Sequence, residues 1–163
     1  MNKTELQQKI VDMEKQLAEL KKELEKKDKG MWKPEECEDY YFIDSDSEIM
    51  CEENTSDNVD FNRFDFVNYY KTEEEAQKMS NYLKYTNLLR KYVEEHSEPL
   101  DWGTAQLKFH LYYDFNDKEI KCWGSTSAKS QGIIHASSEQ VLKDAISFLG
   151  EENIKRHIFC IEE

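Results

Sequence analysis

The sequence predicts an α+β fold: an N-terminal coiled-coil helix over residues 1–30, then a small antiparallel sheet packed with two or three helices over 31–163. Three observations carry this reading. Leu6, Ile10, Met13, Leu17, Leu20 and Leu24 repeat at alternating intervals of four and three, the period of a coiled-coil seam. After Gly30 the heptad gives way to short aromatic runs separated by polar turns, the mark of strands and hairpins. Two stretches beginning at Thr72 and Ser137 then return to helical spacing behind capping residues.

In the N-terminal segment Ile10, Leu17 and Leu24 take the a positions and Leu6, Met13 and Leu20 the d positions. A two-in-seven stripe is narrower than the face a helix turns toward its own core. Thr4 and Gln7 read as a capping box. Lys9 at g and Glu14 at the following e can pair between parallel copies. Lys27 interrupts the seam and Gly30 ends the helix, giving about 25 residues and roughly 37 Å. The expectation is a homo-oligomer, a dimer first, with a trimer left open because β-branched residues are sparse at a. Packing of the stripe on the chain's own domain is the competing reading.

Between 31 and 163 the pattern reads as two strand–helix units, approximately 31–98 and 101–163. Trp32 should cover the start of the sheet. Tyr40–Ile43 and Glu48–Cys51 flank the turn Asp44-Ser45-Asp46-Ser47 as a hairpin. The aromatic run Phe66–Tyr70 is a further strand candidate and leads into Thr72, the N-cap of a helix with Glu75 as its capping-box partner. That helix should end near His96, before Pro99. Leu107, Phe109, Leu111 and Tyr113 alternate with Lys108, His110, Tyr112 and Asp114, which predicts a half-buried strand. Glu119–Trp123 is its hairpin partner, and Gly132–His135 reads as another strand. Ser137 with Gln140 should cap a helix through Val141, Leu142, Ala145, Ile146 and Leu149, stopped by Gly150. A final helical turn and tail follow.

The chain of 163 residues carries 22 basic and 35 acidic side chains, a formal charge of −13. The imbalance is local: residues 31–65 hold 12 acids against Lys33 and Arg63, a net of −10, whereas residues 1–30 are close to neutral at +1. So acidic a chain repels nucleic acid, and direct nucleic-acid binding is not expected. No apolar run approaches the ~20 residues of a membrane-spanning helix, and the first residues lack a secretory signal's apolar core. Together these predict a cytoplasmic protein away from membranes. Aromatics at 12% argue against disorder throughout.

Chemical motifs are sparse. Asp44-Ser45-Asp46-Ser47-Glu48 has the look of a calcium loop, but Ile49 stands where the turn needs Gly and Thr55 where the bidentate Glu belongs. The spacings of Cys37, Cys51, Cys122 and Cys160 do not form zinc knuckles. They read as free thiols, several of them buried. No nucleophile elbow or Gly-rich phosphate loop occurs, so the expectation is a non-enzymatic protein without metal or cofactor. The candidate binding surface is the acidic stretch, with Glu35, Glu36, Glu38, Asp39, Asp44, Asp46, Glu48, Glu52 and Glu53 as its face. Interleaved aromatics favour an ordered array, and ordered carboxylates can meet a basic protein groove as phosphates do; simple solubility, or another binding role, is the competing reading.

The heptad helix, Trp32-x-Pro34, Tyr40-Tyr41-Phe42-Ile43, Asn68-Tyr69-Tyr70-Lys71-Thr72-Glu73-Glu74-Glu75-Ala76 and the stretch from Ser137 to Glu152 together resemble small phage and prophage proteins of low-GC Gram-positive bacteria. Two departures are Cys37 and Ser47, where the similar proteins commonly have Gly. The resemblance implies an accessory gene acting in the cytoplasm of an infected or lysogenic host. It also implies an oligomeric inhibitor of a host defence protein with a basic surface, such as an RNA-guided nuclease. An assembly adaptor that docks through the coiled coil and a domain that binds a nucleotide signal are the alternatives.

Overall fold

A computed structural model describes residues 9–10, 12–21 and 31–162. Residues 9–10 and 12–21 are helical, and Ile10, Met13, Leu17 and Leu20 project apolar side chains into solvent at 54–67% exposure. Leu6 and Leu24 of the same seam, the Thr4–Gln7 cap, Lys27 and Gly30 lie outside the described residues.

Helices and two separate two-stranded sheets make this an α+β protein. Its elements in order are β1 (Asp39–Ile43), β2 (Ile49–Glu53), α1 (Asn58–Asp65), α2 (Glu73–His96), β3 (Lys108–Asp114), β4 (Glu119–Ser125) and α3 (Glu139–Leu149). A helical turn, Glu151–Asn153, and a wider π-helical turn, Ile154–Ile158, follow α3. The chain groups into two compact units, the first comprising Met1–Phe42 with Met50–Thr72 and the second Ile43–Ile49 with Glu73–Glu163. The strand-then-helix repeat of the sequence and this grouping in space divide the chain at different places.

The single sheet expected from the sequence is instead two hairpins. Each gains one isolated antiparallel bridge, Tyr41 to Tyr70 and Phe109 to Ala136. Neither Phe66–Tyr70 nor Gly132–His135 forms a strand, and the reason is where their amides go. Phe66 N and Asn68 N donate to Asn62 O and Arg63 O to close α1, with Val67 in the left-handed region at φ 55°. Gly132 likewise has φ 79°, and Ile133 N turns back to Ser130 O.

In the first unit, α1 is an element the sequence reading lacks. Asp57 caps it, accepting from Val59 N and Asp60 N, and Asp60 at N3 accepts from Asp57 N, a capping box built from two aspartates. Tyr40 and Phe42 point inward from β1 and meet Phe64 of α1. Tyr69 stands edge-on to Phe64 at 5.2 Å between centroids, and Trp32 covers Tyr69 at 6.1 Å. Trp32 therefore lies over this core as its sequence position implies.

The second unit is built on aliphatic packing. Helix α2 begins directly after Thr72 and ends at His96, whose ring stacks on Tyr92. It buries Ala76, Leu89 and Val93. Helix α3 presents Leu142, Ala145 and Leu149, and Ile154 completes the core. The α3 cap is Ser138, which accepts from Val141 N; Ser137 instead accepts from Glu98 N, so the expected cap shifts by one residue. Gly150 at φ 84° ends α3, its N–H donating to Ile146 O, as a left-handed C-terminal glycine does.

Strand β3 pairs with β4 from Lys108↔Ser125 to Asp114↔Glu119. Phe109, Leu111, Ile120 and Cys122 pack on the helical core, as alternation predicts. Lys108 breaks the expected pattern, being wholly buried although it belongs to the outward series. The loops before β3 and after β4 enclose it: Nζ donates to Thr104 O at 3.1 Å and Thr126 O at 3.3 Å, and lies 5.2 Å from the Trp102 ring.

A candidate acidic binding surface

The nine carboxylates singled out in the sequence fall into two sets. Glu35, Glu36, Glu38, Asp39, Glu52 and Glu53 belong to the first unit, on β1, β2 and the segment before β1. Asp44, Asp46 and Glu48 sit in the hairpin turn, which groups with the second. Seven are exposed, and Glu38 and Asp44 are half-buried.

Those two are committed to holding backbone. Glu38 accepts from Glu35 N at 2.8 Å. Asp44 Oδ1 accepts from Asp46 N and Glu48 N at 2.9 and 2.8 Å, an Asx-type turn. Glu52 pairs with Arg63. Glu35, Glu36, Asp39, Asp46, Glu48 and Glu53 make no side-chain hydrogen bond or ion pair among the described residues. Six of the nine are thus available to a partner, four in the first unit and two in the hairpin turn. Sequence reasoning passed over Asp57 and Asp65, exposed at the two ends of α1; the Asp57-x-x-Asp60 spacing was the signal that a capped helix lay there.

What holds the first unit's acids in place is a polar network under the hairpin. Asp60 is 2% exposed and accepts from the Tyr40 hydroxyl at 2.6 Å, Thr55 N at 2.9 Å, Thr55 Oγ1 at 3.2 Å and Asp57 N. Burial pushes the Asp60 carboxyl up, but the hydrogen bonds from Tyr40, Asp57 and Thr55 outweigh it and hold the group below its ordinary value. The Tyr40 hydroxyl is pushed up to about 12, first by burial and then by its bond to Asp60. Arg63 donates to Tyr40 Oη at 2.7 Å and lies 3.5 Å from the Phe42 ring centroid. Lys33 sits 4.3 Å from the Phe64 centroid. The only two cations of residues 31–65 are therefore both laid against the aromatic core, where cation–π attraction holds them. Asn54, also buried, ties Pro34 O and Glu35 O to β2 through Nδ2, at 3.0 Å each.

Cys37, Cys51 and Cys160 are exposed and Cys122 is half-buried, all as free thiols, which corrects the expectation that several are buried. The backbone explains two of them. Cys37 and Cys160 occupy left-handed turn positions, at φ 66° and 54°, where the chain reverses at the surface. Ser47 is left-handed as well, at φ 67°. Cys37 and Ser47 are thus both places where Gly is the unstrained residue.

Among the described residues no group of three or more His, Cys, Asp or Glu side chains converges as a metal site. No helix among them is long and apolar enough to cross a membrane. No family model, curated protein or solved structure matches the chain.

Proposed function

We propose that the protein is a non-enzymatic, acidic inhibitor encoded by a phage or prophage, acting in the host cytoplasm on a defence protein with a basic surface. The observation that carries this reading is the contrast within residues 31–65. Their two cations are turned onto aromatic rings, while six of the nine carboxylates point outward without internal partners. Carboxylates carried on a hydrogen-bonded hairpin lose little freedom on binding, which favours association. Like-charged arrays also steer a basic partner and speed encounter. Oligomerisation through the N-terminal helix is part of the proposal: Ile10, Met13, Leu17 and Leu20 suit burial against a second copy, and two linked copies would bind a repeated target with avidity.

Tagged full-length protein should capture a nucleic-acid-binding defence protein from host lysate at low salt and release it at about 0.5 M salt, where exposed charge pairs are screened. Reversing Glu35, Glu36 and Glu53 to Lys should abolish capture while leaving the far-ultraviolet circular dichroism unchanged. Undiminished capture by that variant would rule the surface out. A partner retained at high salt would favour the adaptor reading. For the oligomer, Leu17→Asp should convert the species seen in sedimentation velocity to monomer; a wild-type monomer would defeat that part.

A further inference from the structure

We propose that a cavity in the second unit, independent of the acidic surface, binds a small anion that joins a phosphate to a planar base, of the kind represented by a nucleoside monophosphate. The cavity holds about 290 Å³ and lies between α2 and the segments 100–102 and 129–135. That is near the lower end of the range for small-molecule sites, which suits a mononucleotide better than a dinucleotide.

Its chemistry is opposite to that of the whole chain. Arg90 enters from α2 and Lys129 from the loop after β4, and neither side chain makes an ion pair or hydrogen bond within the protein among the described residues. Glu94, one helical turn from Arg90, is the single carboxylate among the described lining residues, and it is not paired with Arg90. Lys129 Nζ stands 5.2 Å from the Trp102 ring centroid, and the buried Lys108 ammonium lies equally close to the same ring. His135 meets Trp102 edge-on at 5.1 Å. Two cations without an ion pair among the described residues, and an imidazole, thus line one concavity in a protein of charge −13.

Leu100 and Ile134 add apolar surface to the same lining, above the buried Val93. A guanidinium fork and an ammonium are the groups that recognise phosphate, the first bidentately and the second as a point charge. An apolar wall beside an indole is what a planar base packs against. The ligand class follows: the phosphate at Arg90 and Lys129, the base along Leu100, Ile134 and Trp102.

The test is titration of the ¹⁵N-labelled full-length protein, reading the Trp102 indole N–H, which a Trp102→Phe spectrum assigns. Probes are AMP, GMP, CMP and UMP, with adenosine and inorganic phosphate as controls. At least one nucleotide should shift the Trp102 resonance saturably, with adenosine and phosphate each binding far more weakly. Arg90→Ala and Lys129→Ala should each weaken binding about tenfold, as loss of a charge-assisted hydrogen bond does, with the remaining amide spectrum unchanged. Four silent nucleotides would overturn the proposal. So would adenosine binding as well as AMP, phosphate binding as well as AMP, or unchanged affinity in the double variant Arg90→Ala/Lys129→Ala.

Discussion

The second unit is held by an aliphatic interior in which Leu89, Val93, Leu142, Ala145, Leu149 and Ile154 fill space between α2, α3 and the β3–β4 hairpin. The first does the same task with three aromatic rings, Tyr40, Phe42 and Phe64, a buried carboxylate and two cations laid on ring faces. The contrast follows from size and charge. A small unit buries a smaller share of its surface, and residues 31–42 with 50–72, which carry nine acids against Lys33, Arg63 and Lys71, also repel one another. Directional bonds around Asp60 supply order that apolar volume cannot. An aliphatic core should therefore answer to changes in volume, and the polar–aromatic core to changes in hydrogen bonding and charge.

The largest effect expected is at Leu142, which is wholly buried. Leu142→Ala should cost about 2–5 kcal/mol, the transfer term plus the cavity left behind, read as a lowered unfolding midpoint for α3 and β3–β4. A cost under about 1 kcal/mol would mean that this core is not close-packed as the comparison assumes.

Asp60→Ala comes next. It strands the Tyr40 hydroxyl and the Thr55 and Asp57 amides, and should cost about 2–3 kcal/mol. Amide hydrogen exchange should show lost protection in β1 and α1 while α3 keeps its own. Equal loss throughout would show that the two units unfold as one.

Acidification should separate the units in order. Burial lowers the value for His110, and burial with the neighbouring His110 and Lys129 charges lowers it for His135. The unfolded chain therefore binds protons first, and the second unit loses stability as pH falls below the ordinary histidine value of about 6.5. Asp60 is held below its ordinary carboxyl value. Its contribution is present above about pH 4 and is lost as pH falls through the folded value. Thermal melts followed by assigned resonances at successively lower pH should show the second unit weakening first. The reverse order would break the comparison.

The smallest effect is a gain. Cys37→Gly and Ser47→Gly replace left-handed non-glycine residues and should each stabilise by about 0.5–1 kcal/mol, measured by urea midpoint. A loss at Cys37 would mean that its side chain contributes contacts the backbone argument leaves out.

Much of the fold is legible in local sequence because its causes are local. The β1–β2 turn, the extent of α2, the β3–β4 pairing and the Gly150 stop each rest on residues within a few positions of one another. The misreadings share a cause too. Phe66–Tyr70 has the composition of a strand, but its amides close the helix before it, and composition carries no record of that competition. Ser137 and Ser138 are equally good caps, and the choice fell to Ser138 because Ser137 is engaged with Glu98 N, 39 residues away.

For the sites the balance differs. The sequence alone determined the excess of acid in 31–65, the heptad stripe and the places where the chain turns, since charge, period and backbone preference belong to neighbouring residues. Only the tertiary structure decided that Lys33 and Arg63 lie on aromatic rings, that Asp44 and Glu38 are spent on backbone, and that Lys108 is buried. It alone brought Arg90, Trp102 and Lys129 around one cavity. Burial and convergence depend on segments tens of residues apart meeting in space, and no local pattern encodes that meeting.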